Sequence, residues 1–393
     1  MAMVSGYGRI AAVPRENTDL THVGFGTPMG EVLRRYWQPV CLSSDIDALP
    51  KRVTIFGEAL VAFRDRRGRV GVLDAHCCHR GTSLEYGRVE TDGIRCCYHG
   101  WLFAPDGTCL QQPGEPPTSN FLNKVAQPSY PAREFGGLVF AYMGPPDTTP
   151  LFPRFDILEQ PATTLIAYRN LSRGAVASCN WLQIQENAMD PVHTAFLHSN
   201  ISGTQFTEIY ATLPQLEFEE TPYGMRYVRT AHLPSGRTFT RMQEAFTPNM
   251  RSIADNITPD RPYEERAALI GWWVPVDDTN TIGFHIEAVR NDDTARISTF
   301  SKAQEGRTSG TQEAHRSYED TQRHPDDREA QVSQRPIAVH ALERLGTTDR
   351  GVILFRKLLR RAIEDVRLGR DPQGVFRDGA HNLIVVTSGN TVR

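Results

Sequence analysis

Two short stretches of the 393-residue chain each pair a thiol with an imidazole. Cys77-Cys78-His79-Arg80-Gly81 is the first, and Cys96-Cys97-Tyr98-His99-Gly100-Trp101 is the second, with sixteen residues between His79 and Cys96. The pattern is C-x-H followed by C-x2-H. Five of the seven cysteines fall in the 33 residues from Cys77 to Cys109. Free cysteines are often just small buried apolar groups, but packing alone does not ask two loops to carry Cys and His together. A tetrahedral Cys2His2 zinc site is chemically open, although such sites usually keep the two Cys in one pair and the two His in the other. Mixed pairs suit a [2Fe–2S] cluster with two Cys on one iron and two His on the other. Imidazole in place of thiolate removes negative charge there and makes reduction easier.

A second constellation runs from Asn180-Trp181 through Glu186-Asn187, Asp190-Pro191 and His193 to His198, with the spacing N-x2-D-x2-H-x4-H from Asn187. A lone His on a helix is more often a satisfied core residue. Two His with an Asp and an Asn in twelve residues point to a two-His, one-carboxylate triad, which leaves positions on Fe(II) open for dioxygen. Residues i and i+5 do not share a face of an ideal α-helix, so a bulge or helix end is expected between His193 and His198. Glu186 and Asp190 are carboxylates near in sequence, uncomfortably close to the two His to supply the third ligand.

The motif C-C-H-R-G…C-C-Y-H-G-W resembles the Rieske motif of aromatic ring-hydroxylating oxygenases, C-P-H-R-G…C-P-Y-H-G-W. The chain departs from it with Cys78 and Cys97 in place of proline. The spacing favours Cys77, His79, Cys96 and His99 as cluster ligands, with His76, Cys78 and Cys97 as bystanders. The second constellation is similar to that family's N-W-x4-E-N-x2-D-x2-H-x4-H segment. The resemblance implies that His193 and His198 bind a mononuclear Fe(II), and that Asp190 and Asn187 belong to the catalytic machinery. Asp190 would orient His193 and bridge it to His99 of a neighbouring subunit in a head-to-tail homotrimer. The family's third ligand lies roughly 130 residues downstream in an Asp-x6-Gln context, which Asp327 and Gln334 match. Asp320, Asp326 and Glu329 are rivals. Asn187 and Gln334 are candidate pocket or outer-shell amides.

The resemblance spans nearly the whole chain. TPMGEVLRRYW, GTSLEYGRVE and EAQVSQRPIAVHALERLGTTDRGVILFRKLLRRAI look like phthalate 4,5-dioxygenase-type oxygenase components. It implies the terminal oxygenase of a multicomponent system, using O2 and electrons from NAD(P)H to oxidise an aromatic carboxylate by ring dihydroxylation or monohydroxylation. O-demethylation of methoxylated aromatic acids is the alternative within the family. A non-catalytic Rieske electron carrier or a zinc-binding module is the alternative outside it. No G-x-G-x-x-G strand–turn–helix unit is evident, so a separate flavin- and iron–sulfur-bearing reductase is expected. Residues 203–300 should line much of the pocket, where Arg226, Arg229, Arg237 and Arg241 could meet a carboxylate in bidentate fashion.

The elements that must position these residues are legible in outline. Short β-rich runs such as VTIFGEALVAFRD and GIRCCYHGWLFA, broken by Asp92-Gly93 and Asp106-Gly107 turns, predict an all-β module. Thr27-Pro28 reads as the start of a helix that Pro39 closes, packing Val32, Leu33, Tyr36 and Trp37. The Pro-rich stretch 143–156 reads as a linker. Residues 301–330 read as a long polar loop. Residues 349–369 predict an amphipathic helix burying Ile353, Leu354, Leu358, Leu359 and Ile363. The expected fold class is α+β: an N-terminal helical segment (1–40), a Rieske domain (41–150), and a catalytic domain (151–393) whose large antiparallel sheet is flanked by helices in a helix-grip (Bet v1-like) arrangement. With 43 Lys+Arg against 46 Asp+Glu the net charge is −3, which argues against a nucleic-acid binder. No run approaches a membrane span and the N-terminus lacks a signal-peptide core, so a cytoplasmic protein is expected.

Overall fold

A computed structural model describes residues 13–169, 176–205, 208–254, 263–298 and 316–393. Two small four-stranded sheets form the β-module. One is built from Lys51–Ile55, Glu58–Arg64, Val70–Asp74 and Ser129–Tyr130, and the other from Arg88–Val89, Ile94–Arg95, Leu102–Phe103 and Cys109–Gln111. Val61, Phe63, Leu73, Leu84, Ile94 and Phe103 are fully buried in its core, and Cys77 and Cys96 sit in the same cluster. The thiol-bearing loops are therefore anchored in packed apolar matter.

A ten-stranded antiparallel sheet dominates the rest. Its path runs Thr163–Arg169, Asn280–Arg290, Leu269–Asp277, Met250–Ile253, Thr238–Phe246, Gly224–His232 and Gln215–Thr221, with three short strands paired off it. Helices flank it, in keeping with the α+β expectation. One continuous core joins the N-terminal helix, a three-stranded sheet and the large sheet, through Leu33, Phe140, Trp272 and Phe355.

Four local expectations need correction. The helix after Thr27 spans only Pro28–Leu33, with the Thr27 hydroxyl accepting from the Gly30 N–H at 3.2 Å. Trp37 then begins a strand, Trp37–Leu42, that contains Pro39. The pairing of this strand with Leu138–Tyr142 slips between Pro39 and Cys41, and such an irregularity lets a strand accommodate proline's missing N–H. The Pro-rich stretch is a packed strap and not a free linker, since Phe152 and Phe155 are buried and the Phe152 ring lies 5.0 Å from that of Phe140. The polar region contains helices Tyr318–Arg323 and Asp327–Val332, started by the side chains of Ser317 and Asp326; residues 299–315 lie outside the described residues. The long helix Arg350–Arg367 buries Val352, Phe355, Leu358, Leu359 and Ala362 while Ile353 is exposed. Leu354 and Ile363 pack partly buried against the core, so of the expected face only Ile353 is displaced; Gly351 lies so close to the Met189 carbonyl that a Cβ would sit 2.5 Å from it. That approach seats the helix directly behind the N-x2-D-x2-H segment.

Candidate functional site

The two thiol–imidazole loops close by one device. Gly81 N–H donates to the Cys77 carbonyl at 2.8 Å, and Gly100 N–H to the Cys96 carbonyl at 3.1 Å. Both glycines lie in the left-handed region, with φ of 74° and 73°, where a side chain would be strained. Each turn points its first cysteine inward, so that Cys77 and Cys96 are buried, while Cys78 and Cys97 are exposed. The His79 and His99 rings meet edge to face at 4.5 Å, and Trp101 stacks on His79 at 4.3 Å. Burial pushes the Cys77 thiol up to about 12, and the nearby Cys96 sulfur adds to the rise. A cation is what would hold such a thiol as thiolate. Two inward sulfurs and two adjacent imidazoles fit the donor set of a Cys2His2-ligated [2Fe–2S] cluster. Gln127 stitches the first loop from beneath: its carboxamide accepts from Cys78 N–H at 2.7 Å and donates to the Asp74 and His76 carbonyls at 2.9 Å. His76 is turned aside, with Nδ1 3.1 Å from the Gly81 carbonyl.

The second constellation assembles around one carboxylate oxygen. His193 opens a short α-turn, His193–Ala195, that runs into a π-helix over Phe196–Ile201 carrying His198. The wider π winding brings residue i+5 round to the same side. The Nε2 atoms of His193 and His198 lie 3.6 and 3.2 Å from Asp327 Oδ1. Asp327 is the first residue of its helix, and Asn187 Nδ2 donates to the same Oδ1 at 3.2 Å. Burial alone would raise the Asp327 pKa, but the two imidazoles and Asn187 hold it well below the ordinary carboxylate range. Two nitrogens and one oxygen converging this way are the donor set of a facial triad. Asp190 Oδ2 lies 3.6 Å from His193 Nδ1, too long for a hydrogen bond yet close enough to interact. Burial would raise Asp190 too, and His193 outweighs it.

The rival carboxylates have other work. Asp326 caps its helix by accepting from Arg328 N–H, and Glu329 accepts from Asp326 N–H. Asp320 faces Arg316. Glu186 is tied to Arg356 through two contacts of 2.5 and 2.7 Å, and Arg356 also grips Glu343. His340 completes a second cluster with Glu186 and Glu343, but Arg356 already answers both of its carboxylates. Gln334 is exposed and takes no part.

A cavity of about 250 Å³ opens onto His193, His198 and Asp327. Tyr227 and Arg229 alternate along one strand, directly opposite Gln243 and Arg241 on the next, and all four line the cavity. Arg241 is satisfied by Tyr210, Asn390 and the Ala254 carbonyl. Arg229 is 1% exposed; its Nη2 donates to the Tyr210 and Thr212 carbonyls, while its Nε and Nη1 have no partner among the described residues. Arg251, which sequence reasoning missed, holds its Cζ over the Trp273 ring at 3.5 Å, and its Nε too has no partner among the described residues. Burial pulls both Arg229 and Arg251 down to about 10. Like charges opposite one another on a sheet are destabilising, and buried charges are normally paired. Arg226 instead pairs with Glu219 outside the cavity, and Arg237 is not among the lining residues. Strand alternation could have put Arg251 on the face of Arg241 and Gln243, but only once its neighbours in the sheet were known.

Comparison with known proteins accords with this geometry. Residues 36–131 match the Rieske [2Fe-2S] domain, and residues 141–328 match a domain described as LigXa C-terminal domain like. The phenoxybenzoate dioxygenase subunit alpha of Ectopseudomonas oleovorans is 41% identical over 397 residues, covering 98% of this chain and 93% of that one. The chain belongs to the Rieske non-heme iron oxygenases, as an oxygenase (alpha) subunit. This family carries a Rieske [2Fe–2S] cluster and a mononuclear iron, for which the two donor sets above are suited. The oxygenase subunit of tert-butanol monooxygenase / tert-amyl alcohol desaturase from Aquincola tertiaricarbonis is 43% identical over 88% of this chain and 76% of its own length. Among solved structures, the QL mutant of NdmA from Pseudomonas putida CBB5, with caffeine, shares the Rieske oxygenase fold at a TM-score of 0.63 and 21% identity, covering 87% of this chain and 94% of that one. Among the described residues no helix is long and apolar enough to cross a membrane.

Proposed function

We propose that this Rieske oxygenase subunit oxidises an aromatic carboxylate, and that Cys77, His79, Cys96 and His99 hold its cluster while His193, His198 and Asp327 hold its mononuclear iron. The observation that carries the substrate class is the pair of guanidinium groups, Arg229 and Arg251, in the cavity that opens onto the triad, each with buried nitrogens that no described residue accepts from. Among the described residues, the carboxylates lining that cavity are Asp190 and Asp327, and both are engaged with the histidines. A substrate anion supplies the missing partner, and a charge-assisted, bidentate contact would fix the ring's orientation. The relatives span an aromatic acid and an aliphatic alcohol by name, so family membership alone does not choose between them.

A mononuclear iron held by His193, His198 and Asp327 would supply O2 activation, and a cluster held by Cys77, His79, Cys96 and His99 would supply single electrons. The chain's own part is positional. Asp190 holds a carboxylate behind His193, Asn187 steadies Asp327, and Arg229 and Arg251 orient the substrate. His99 keeps its ring at the module surface beside exposed Tyr98, and in a head-to-tail homotrimer it would face Asp190 of a neighbouring copy. Electrons come from NAD(P)H through a separate flavin/iron–sulfur reductase, in the cytoplasm. The test is substrate-dependent O2 consumption with a surrogate reductase across aromatic acids, methoxylated aromatic acids and their neutral amides. Acids should be consumed and amides not. Product mass then separates addition of both oxygen atoms from addition of one, and formaldehyde release marks demethylation. Equal turnover of acids and amides would refute the substrate class.

A further inference from the structure

Gln205 grips His198 twice. Its backbone N–H donates to the His198 carbonyl at 3.0 Å, and its side-chain Oε1 lies 2.6 Å from His198 Nδ1. The other end of the carboxamide donates from Nε2 to the Pro325 carbonyl at 3.3 Å. Pro325 is two residues before Asp327, and Ser202 Oγ donates to the same carbonyl at 2.5 Å. We propose that Gln205 is a positioning residue that selects which nitrogen of His198 faces the iron and locks the His198 turn to the segment that delivers Asp327. This inference rests on reading His193, His198 and Asp327 as the iron ligands.

A backbone carbonyl can only accept a hydrogen bond, so the amide NH2 must face Pro325 and the amide oxygen must face His198. An amide oxygen also only accepts, so His198 Nδ1 carries a proton, which in the neutral ring leaves the lone pair on Nε2. That lone pair lies 3.2 Å from Asp327 Oδ1. Two acceptors at this distance repel unless a proton or a metal ion sits between them, so a neutral His198 held in this tautomer through Gln205 offers Nε2 to a metal ion beside Asp327. The two histidines are thus held by unlike partners: His193 Nδ1 faces the Asp190 carboxylate at 3.6 Å, and His198 Nδ1 a neutral amide. One carboxamide also spans two parts of the chain far apart in sequence, so a single side chain helps tie together a ligand pair separated by 129 residues.

Gln205→Met keeps length and removes both polar contacts. Outer partners of metal-bound histidines are commonly worth 10–100-fold in metal affinity. The expected result is an affinity of the mononuclear site for Fe(II), read by chelator competition, about 10- to 100-fold weaker, with the Rieske visible spectrum unchanged as the control for folding. In Co(II)-loaded protein, the hyperfine-shifted Nδ1 proton of His198 should exchange slowly with solvent in the parent and fast in Gln205→Met. Gln205→Glu provides a second variant: it still accepts from Nδ1, so the slow proton should persist. Parent-like iron affinity and a slow proton in Gln205→Met would overturn the proposal, as would a fast proton in Gln205→Glu. Iron retention by His198→Ala would instead overturn the ligand reading beneath it.

Discussion

Replacing Arg251 by Met separates a substrate-binding cation from a structural one. In the substrate-free protein Arg251 carries a charge that burial disfavours, pulling its pKa down to about 10. A base with a depressed folded-state pKa is penalised at every pH below that value, where both folded and unfolded chains are protonated, and the penalty is relieved only as pH climbs above about 10. At neutral pH the cost is therefore present in full. It is at most about 2–3 kcal/mol, because the surface the side chain retains is screened by solvent. Stacking on Trp273 returns about 0.5–2 kcal/mol. Removing the charge should leave the melting temperature unchanged or slightly raised. Losing one charge-assisted hydrogen bond to a carboxylate costs about 1.5–3 kcal/mol, or about 10- to 150-fold in Kd. The assay is calorimetric titration of Arg251→Met and parent with an aromatic acid and its primary amide, beside thermal melts. Acid binding should weaken at least about tenfold while amide binding holds. A variant that melts several degrees lower and loses both ligands equally would show Arg251 to be a packing residue, and an unchanged Kd for the acid would remove it from the site.

Other outcomes follow from the same geometry. Asp190→Asn should keep both irons, by metal analysis and visible spectrum, yet nearly abolish turnover; full activity would exclude the electron bridge. His193→Ala or His198→Ala should lose the mononuclear iron with the cluster colour intact, and Cys77→Ser or His79→Ala should do the reverse. Arg356→Met leaves Glu186 buried without its cation, and breaking such a pair costs about 3–5 kcal/mol. Chemical denaturation should show that loss, and Glu186→Gln added to it should recover part of it.

The donor types could be read without coordinates because chemistry there is bound to short covalent spacing. C-x-H, C-x2-H and D-x2-H-x4-H each fit within a turn or two of chain, so the backbone brings those groups together almost wherever the rest of the molecule goes. The switch to π winding at Phe196–Ile201 was legible in the same way, as the irregularity an i, i+5 pair demands. The β-module and the α+β class showed in strand-like runs and their turns. Phase and partner choice did not. Hydropathy located the helix Arg350–Arg367, but not that Val352 packs inward and Ile353 out beside the close pass of Gly351 at Met189. Alternation allowed either face for Arg251, and only strand register in the ten-stranded sheet put it, with Arg229 and Arg241, around one cavity. Cys77 and Cys78 are adjacent in sequence, and the way the loop closes on Gly81 turned one inward and the other out. Asp327 stands beside His198 because two capped helices and the Gln205–Pro325 contact carry it there. Those choices depend on packing and hydrogen bonds between segments distant along the chain, which no local spacing encodes.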